Sequence, residues 1–246
     1  MSESQPRILM TGGDGRLGTE LRQILPGILA PDEEQMDITR PDDIARWLDE
    51  QCPDVLLHAA AYTDVAGAEQ NRRRCWCVNV VGTRNVVRAA GRRGVFLIHI
   101  STDYVFEGTR GGYKEDDPPG PAMNYYALTK LVAEELARIH PAHLILRTSF
   151  RPREWPYPKA FTDVYTSQDY VDIIAPELAL AIRHFRELRN QTLHVVTERK
   201  SVYELAKRRK SDVQGGSKSE VSVRLPDDIS LDTTRWQELK KQWSKT

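Results

Sequence analysis

Short apolar runs alternate with amphipathic stretches through the first 150 residues of the chain. Four runs are too short for helices and end in small or turn-forming residues, which predicts buried strands at Arg7–Thr11, Val55–Ala59, Val95–Ile100 and Leu144–Arg147. Apolar residues recur at three- and four-residue spacing between these runs, which predicts helices at Leu17–Leu25, Pro41–Gln51, Asn79–Gly91 and Tyr125–Ile139. The alternation indicates an α/β fold with a doubly wound parallel sheet covered by helices.

The pattern changes after Thr148, because three prolines fall within Arg151–Pro158. Proline is disfavoured in regular helices and central strands, so we expect an ordered loop there. Beyond it, the pattern predicts a helix from Asp169 to about Arg186, a strand Leu193–Val196, a helix Val202–Arg209 and a polar tail broken at Gly215-Gly216. We divide the chain into residues 1–150 and a small part, 151–246, with the helix near 169–186 packing back on the first part.

Composition narrows the function classes. Of 246 residues 40% are apolar, which is enough to bury a core, and 35 Lys and Arg balance 35 Asp and Glu. With no net charge we expect neither nucleic acid nor a membrane as a partner, and the basic run Lys207–Lys210 is better explained as a helix end than as a nucleic-acid patch. Met1–Arg7 lacks the apolar stretch of a signal peptide. Three cysteines, without a metal-binding cluster, predict reduced thiols, a cytoplasmic protein and no metal site.

A glycine-rich turn is the strongest local signal. Gly12, Gly15 and Gly18 follow the first strand and open the first helix, where glycine lets the backbone approach a pyrophosphate and the helix start meets its charge. About 20 residues on, Asp32 and its two acidic neighbours stand where a ribose hydroxyl would be recognised. No arginine is evident there, which slightly favours NADH over NADPH; an acidic surface loop explains these residues equally well.

Two further signals lie between the third and the fourth predicted strands. Ser101, Thr102 and Asp103 lie at the carboxyl end of a strand, where ligands bind in open parallel sheets. Tyr126 and Lys130 are four residues apart, hence on one helix face, and a nearby ammonium lowers the pKa of a phenol. Such a pair alone is common on solvated helices, but here three signals occur in order.

With these residues the sequence resembles the extended short-chain dehydrogenase/reductases, and more narrowly the dTDP-4-dehydrorhamnose reductase group. The resemblance covers most of residues 7–175 and rests above all on Ser101–Phe106, together with the glycine turn, Asp37–Thr39, Ala59–Thr63, Asn79–Thr83 and Asn124–Lys130. It implies a Rossmann-type dinucleotide-binding part, residues 1–150, and a substrate-binding part, residues 151–246.

The resemblance also implies the site residues. The catalytic residues would be Thr102, Tyr126 and Lys130. NAD or NADP would contact Gly12, Gly15, Arg16, Leu17, Gly18, Asp32, Asp37, Ile38, Ala59, Ala60, Ala61, Asn79, Ser101, Tyr126 and Lys130. We predict substrate contacts from Asp103, Tyr104, Arg147, Phe150 and Arg151, with Arg153 as a further candidate for a substrate diphosphate because guanidinium groups bind phosphate bidentately.

The departures from the family pattern fall on the substrate side. Phe150 and the proline-rich loop replace an aromatic residue and a longer segment, Ala66 replaces a common aspartate, and the chain is some tens of residues shorter than a typical member. The leading hypothesis is a reductase of a nucleotide-linked 4-keto-6-deoxy sugar. The same hypothesis allows the chain to form a homodimer. Two alternatives remain: a nucleotide-sugar epimerase or dehydratase that retains NAD, and a non-catalytic, cofactor-binding regulatory subunit like that of methionine adenosyltransferase.

Overall fold

The computed structural model describes residues 5–221 and 225–245. Its strands are β1 (Ile8–Thr11), β2 (Val55–His58), β3 (Phe96–Thr102), β4 (His143–Thr148), β5 (Phe150–Arg151), β6 (Lys159–Phe161), β7 (Tyr165–Thr166), β8 (Asp169–Tyr170), β9 (Gln191–His194), β10 (Lys200–Ser201) and β11 (Gln214–Gly216). Its α-helices are α1 (Arg16–Ile24), α2 (Pro41–Gln51), α3 (Val65–Gln70), α4 (Arg72–Trp76), α5 (Thr83–Arg93), α6 (Tyr125–Arg138), α7 (Val171–Arg183), α8 (Val202–Lys207) and α9 (Thr234–Trp243).

The predicted parallel sheet is confirmed. Within the described ranges its five strands lie in the order β1-β2-β3-β4-β9, all parallel. Leu29 forms a parallel bridge to Leu9 on β1, so the chain first crosses through α1 to one side of β1 and then returns through α2 to β2 on the other side. This reversal next to β1 produces the crevice at the carboxyl edge where such sheets bind ligands.

Helices cover both faces because successive strand residues point to opposite sides. Ile98 and Ile100 of β3 belong to a core shared with α1 and α7, whereas Leu97 belongs to a second core shared with α2 and α5. α6 begins at Asn124, whose side-chain oxygen accepts a hydrogen bond from Ala127 N at 2.8 Å. This N-cap fixes where the helix that carries Tyr126 and Lys130 starts.

Several boundaries differ from the sequence prediction. The helix expected at Asn79–Gly91 is longer and interrupted: α4 continues into a π-helical turn, Cys77–Gly82, and then into α5. Asp169 belongs to the short strand β8 rather than to the following helix. Gly215 and Gly216 do not break the chain; they lie in β11, which pairs with β6 over the small core around Trp155.

The tail is not merely polar. α9 buries Trp236 completely against the α7 side of the sheet, and the Trp236 indole donates to Glu177 Oε2 at 2.6 Å. Together with α7 and β9, this helix belongs to the main body although it follows residue 150. The basic run behaves as a helix end: α8 stops at Lys207, Arg208 pairs with Asp169 at 2.7 Å, and Arg209 pairs with Asp172 at 2.7 Å. No helix in the described ranges is long and apolar enough to cross a membrane.

Candidate active site

A cleft of about 780 Å³ opens at the carboxyl ends of β1 to β4. The glycine turn forms one wall. Gly12 has φ +73°, and a Cβ there would lie 2.9 Å from Ala60 Cα, so only glycine lets the turn approach the end of β2 this closely. Gly15 is the N-cap of α1 and lines the cleft, so the first-turn amides of that helix, which lack intrahelical acceptors, stand at this wall.

Gly18 has a different role from the other two glycines. It does not line the cleft, and a Cβ on it would meet Gly13 O at 2.5 Å. Its function is therefore to let α1 pack against the turn. The turn nevertheless fits a dinucleotide, because its close backbone leaves a cradle that a larger side chain would fill and the helix start offers free N–H groups to a pyrophosphate.

At the far end of the cleft, Asp37 and Ile38 line the wall as predicted for cofactor contacts. Asp32 does not: its Oδ1 accepts a hydrogen bond from Gln35 N at 2.9 Å within its own loop. Glu33 lines the cleft instead, and Arg74 of α4 lies 3.6 Å from it. The expectation that no arginine stands here was wrong. Arg74 is 41 positions from Glu33 in the sequence, and only the folded chain brings the two side chains together.

Ala59, Ala60 and Ala61 line the cleft after β2. Thr11 Oγ1 accepts hydrogen bonds from Ala59 N at 3.2 Å and Ala60 N at 3.1 Å, which fixes this segment next to the glycine turn. Asn79 lies behind the wall: its Oδ1 accepts from Tyr62 N at 2.7 Å and its amide donates to Thr129. It therefore supports the cleft wall rather than lining it.

Thr102, Tyr126 and Lys130 converge in the same cleft with Ser101. Lys130 Nζ donates to Ile100 O at 2.8 Å, which ties α6 to the end of β3. The Thr102 side chain lies beside the Tyr126 phenol. The strand end and one face of α6 thus present a hydroxyl, a phenol and an ammonium to one region of the cleft.

Burial controls the protonation of these groups. It raises the pKa of Tyr126, and the nearby Asp103 raises it further, while the neighbouring Thr102 hydroxyl opposes both effects. The expected lowering of this pKa by Lys130 is not found, because desolvation of the phenolate dominates. Burial lowers the pKa of Lys130 to about 8, and Glu134 opposes that shift. Near neutral pH the phenol holds its proton, as a proton donor must.

The predicted substrate residues separate into two groups. Tyr104, Phe150 and Arg151 line the cleft, and Arg151 Nε donates to Gln168 Oε1 at 3.1 Å. Asp103 is buried beside the cleft and does not line it; burial raises its pKa to about 6. Burial also raises the pKa of Tyr104 to about 12.

Arg147 and Arg153 are not at the cleft. Arg147 is 1% exposed and pairs with the buried Glu134, with 2.7 Å between Nη2 and Oε1. It points into the layer between β4 and α6, because it sits inside the strand rather than after it. Arg153 pairs with Glu20 of α1 at 2.7 Å. The structure therefore contradicts these two assignments to a substrate diphosphate.

Residues at the carboxyl end of β4 were missed. Thr148, the last residue of the strand, has its Oγ1 buried at the cleft wall without a hydrogen-bond partner among the described residues, and Ser149 lines the cleft beside Asp103. Their position beside the β3 end was the available signal. Across residues 5–221 and 225–245, no three His, Cys, Asp or Glu side chains come together as a metal site.

Comparisons with known proteins identify the family of this chain. The family model described as the RmlD substrate binding domain matches residues 6–176. The chain is 34% identical to dTDP-4-dehydrorhamnose reductase of Aggregatibacter actinomycetemcomitans over 70% of this chain and 61% of that protein. It is equally identical to the Mycobacterium tuberculosis reductase over 76% of this chain and 59% of that protein. The chain thus spans about 60% of the length of these curated relatives.

Solved structures match over a larger share. A hypothetical dTDP-4-dehydrorhamnose reductase from Sulfolobus tokodaii superimposes with a TM-score of 0.83 at 30% identity, covering 95% of this chain and 94% of that one. The Bacillus anthracis dTDP-4-dehydrorhamnose reductase in complex with NADP superimposes with a TM-score of 0.83 at 27% identity, covering 100% of both chains. UDP-glucose 4-epimerase of Thermus thermophilus, at 18% identity and a TM-score of 0.75, shares the fold.

Proposed function

The chain belongs to the RmlD substrate binding domain family, and on that premise we propose that it is an NAD(P)H-dependent reductase of a nucleotide-linked 4-keto-6-deoxy sugar. The observation that carries the proposal is the convergence of Thr102, Tyr126 and Lys130 beside a glycine turn that fits a dinucleotide. When bound, the reduced nicotinamide cofactor supplies a hydride to the keto carbon.

The chain's own residues supply the proton and the orientation. Tyr126 donates its phenolic proton to the keto oxygen as negative charge develops there. Thr102 lines the cleft beside the phenol and helps to orient the keto oxygen. Lys130 lines the same region of the cleft, and its ammonium group binds the nicotinamide ribose.

The substrate enters from the side formed by residues 148–168. Phe150, Tyr157 and Arg151 line the cleft. The two rings offer aromatic surfaces, and Arg151 would bind a substrate diphosphate. The small part built around the Trp155 core carries this wall. We place the enzyme in the cytoplasm, because Cys52, Cys75 and Cys77 are all free thiols.

The test is a panel of 4-keto-6-deoxy nucleotide sugars assayed by oxidation of NADH and NADPH. The proposal expects turnover with at least one substrate and a loss of roughly 10²–10⁴-fold in the Tyr126→Phe variant, with cofactor affinity retained. Cofactor binding without turnover of any panel member would favour a regulatory subunit. Tightly retained NAD, with no need for added cofactor, would favour an epimerase or dehydratase.

A further inference from the structure

Three consecutive residues at the end of β3 each face a different side chain of α6. Ile100 O accepts from Lys130 Nζ at 2.8 Å, Ser101 Oγ donates to Glu134 Oε2 at 2.5 Å, and the Thr102 side chain lies beside the Tyr126 phenol. Tyr126, Lys130 and Glu134 follow one another at four-residue spacing on α6, so they form one stripe along the helix. The strand end is therefore hydrogen-bonded to α6 at two successive residues, Ile100 and Ser101.

Glu134 is the deepest member of this stripe, and its exposure is 0%. Its carboxylate accepts hydrogen bonds from Arg147 Nη2 at 2.7 Å, from Arg147 Nε at 3.1 Å and from Arg138 Nη2 at 2.7 Å. These bonds keep the pKa of Glu134 below its usual value despite its burial. A carboxylate held so firmly is a fixed negative charge one helical turn from Lys130.

Glu134 is the negative charge that acts on the Lys130 ammonium from the described surroundings. Cys75 of α4 also faces Lys130, but burial raises the pKa of its thiol, so it is neutral near pH 7. His58 of β2 and His99 of β3 also interact electrostatically with Lys130. Burial lowers the pKa of His58 to about 3 and the pKa of His99 well below its usual range. Both imidazoles are therefore neutral, and the pKa of Tyr126 on the same helix is raised.

We propose that Glu134 is a positioning residue for the reduction: its buried carboxylate keeps Lys130 in the ammonium form and, through Ser101, holds the β3 end that carries Thr102. The inference rests on the proposed function, because that function is what makes a charged Lys130 necessary. It assigns Arg147 the task of anchoring Glu134 rather than binding substrate. The Arg147–Glu134 pair thus acts on the reaction through Lys130, without touching substrate.

The deciding experiment measures the Lys130 amine directly in the ligand-free full chain. Lysine Cε resonances of the 13C-labelled protein are followed against pH, with Lys130 assigned by its disappearance in Lys130→Met. Glu134→Gln keeps the shape and removes the charge, so the Lys130 midpoint should fall by roughly one to two pH units, the effect of a unit charge about one helical turn away at an effective dielectric constant near 20. Glu135→Gln is the matched control: this neighbour is 56% exposed and should leave the midpoint unchanged.

Glu134→Gln leaves Arg147 without its partner, so the single variant is at risk of unfolding. The double variant Glu134→Gln/Arg147→Met removes both charges, and the midpoint should fall in it as well. A wild-type midpoint in either folded variant would overturn the proposal. So would a fall of the same size in Glu135→Gln.

Turnover adds a second, separable readout. If the proposed function holds, the high-pH decline of kcat/KM moves to lower pH in Glu134→Gln, in step with the Lys130 midpoint, and stays in place in Glu135→Gln. If no substrate is turned over but the midpoint falls, the proposed function fails while the electrostatic assignment of Glu134 stands. If activity shifts without any change in the Lys130 midpoint, Glu134 acts by another route and the inference is wrong.

Discussion

The Thr102 hydroxyl donates its proton to the neighbouring Asp103, with 2.9 Å between Oγ1 and Oδ1. A hydroxyl has one proton to give, so the same oxygen accepts the hydrogen bond from Tyr104 N at 3.2 Å. The Thr102 hydroxyl proton is therefore directed toward Asp103. Asp103 thus fixes the orientation of this hydroxyl as long as it is ionised.

The first prediction concerns the stability cost of that buried carboxylate. The folded-state pKa of Asp103, about 6, lies above the reference value of 3.8, so the folded chain binds a proton more tightly than the unfolded chain does. The stability contributed by the protonated carboxyl is present below pH 4 and is lost as the pH rises to about 6. Asp103→Asn has no such loss, so its free energy of unfolding relative to wild type should increase by about 2 kcal/mol between pH 4 and pH 7.

Urea unfolding of both proteins at several pH values measures this difference. Asp116→Asn is the control, because Asp116 is 81% exposed and its replacement should leave the pH dependence of wild type intact. A difference between Asp103→Asn and wild type that stays constant from pH 4 to pH 7 would show that Asp103 titrates normally.

The second prediction concerns the choice between NADPH and NADH. Arg74 and Glu33 face each other across 3.6 Å at the cleft end, and both side chains are more than 60% exposed. A guanidinium binds a ribose 2′-phosphate, whereas a carboxylate accepts from a 2′-hydroxyl and repels the phosphate. Arg74→Gln should weaken NADPH binding at least about tenfold more than NADH binding, about 1.4 kcal/mol, and Glu33→Gln should shift preference the opposite way.

Titration of each cofactor against each variant measures the two affinities. Arg73→Gln provides the matched control, because Arg73 is an exposed neighbour on the same helix that does not line the cleft. Equal losses for both cofactors in Arg74→Gln would place the 2′ position elsewhere.

The sequence predicted the parts of the site that are local. The glycine turn, Ser101–Asp103 and the Tyr126–Lys130 pair are each a few residues long, and their chemistry depends on spacing within one element. Arg74 and Arg147 depend on distant partners, Glu33 and Glu134, and no local pattern reveals such pairs. α9 is different. Trp236, Leu239 and Trp243 recur at three- and four-residue spacing, so the sequence pattern could have predicted its apolar face despite the charged residues around it.

The third prediction separates two glycines of the cofactor turn. Gly15 has φ −68°, and an added Cβ would meet only Gly12 O, at 3.2 Å. Gly15→Val should therefore leave the chain folded while removing most cofactor affinity, because the branched side chain occupies the phosphate approach. Gly12→Val should also unfold at lower urea, because φ +73° costs a branched residue about 1–3 kcal/mol and its Cβ meets the Ala60 backbone at 2.9 Å. Unfolding midpoints and cofactor titrations of both variants are the measurements. Full cofactor affinity in folded Gly15→Val would contradict the assignment of the glycine turn as the pyrophosphate site.

The fourth prediction contrasts Arg147 and Arg151, two arginines that were both predicted from the sequence to contact substrate. Arg147→Met leaves the buried Glu134 carboxylate without its main partner, and removal of one member of such a pair typically costs about 3–5 kcal/mol. Arg151→Met removes a guanidinium that lines the cleft and lies 5.2 Å from the Trp155 ring centroid. It should change stability little but raise KM for a nucleotide sugar roughly tenfold to a hundredfold, the effect of losing a charged hydrogen bond of about 1.5–3 kcal/mol. Urea unfolding and steady-state kinetics on both variants decide the matter. If Arg147→Met raises KM at unchanged stability, Arg147 contacts substrate and the buried pair with Glu134 is not its role.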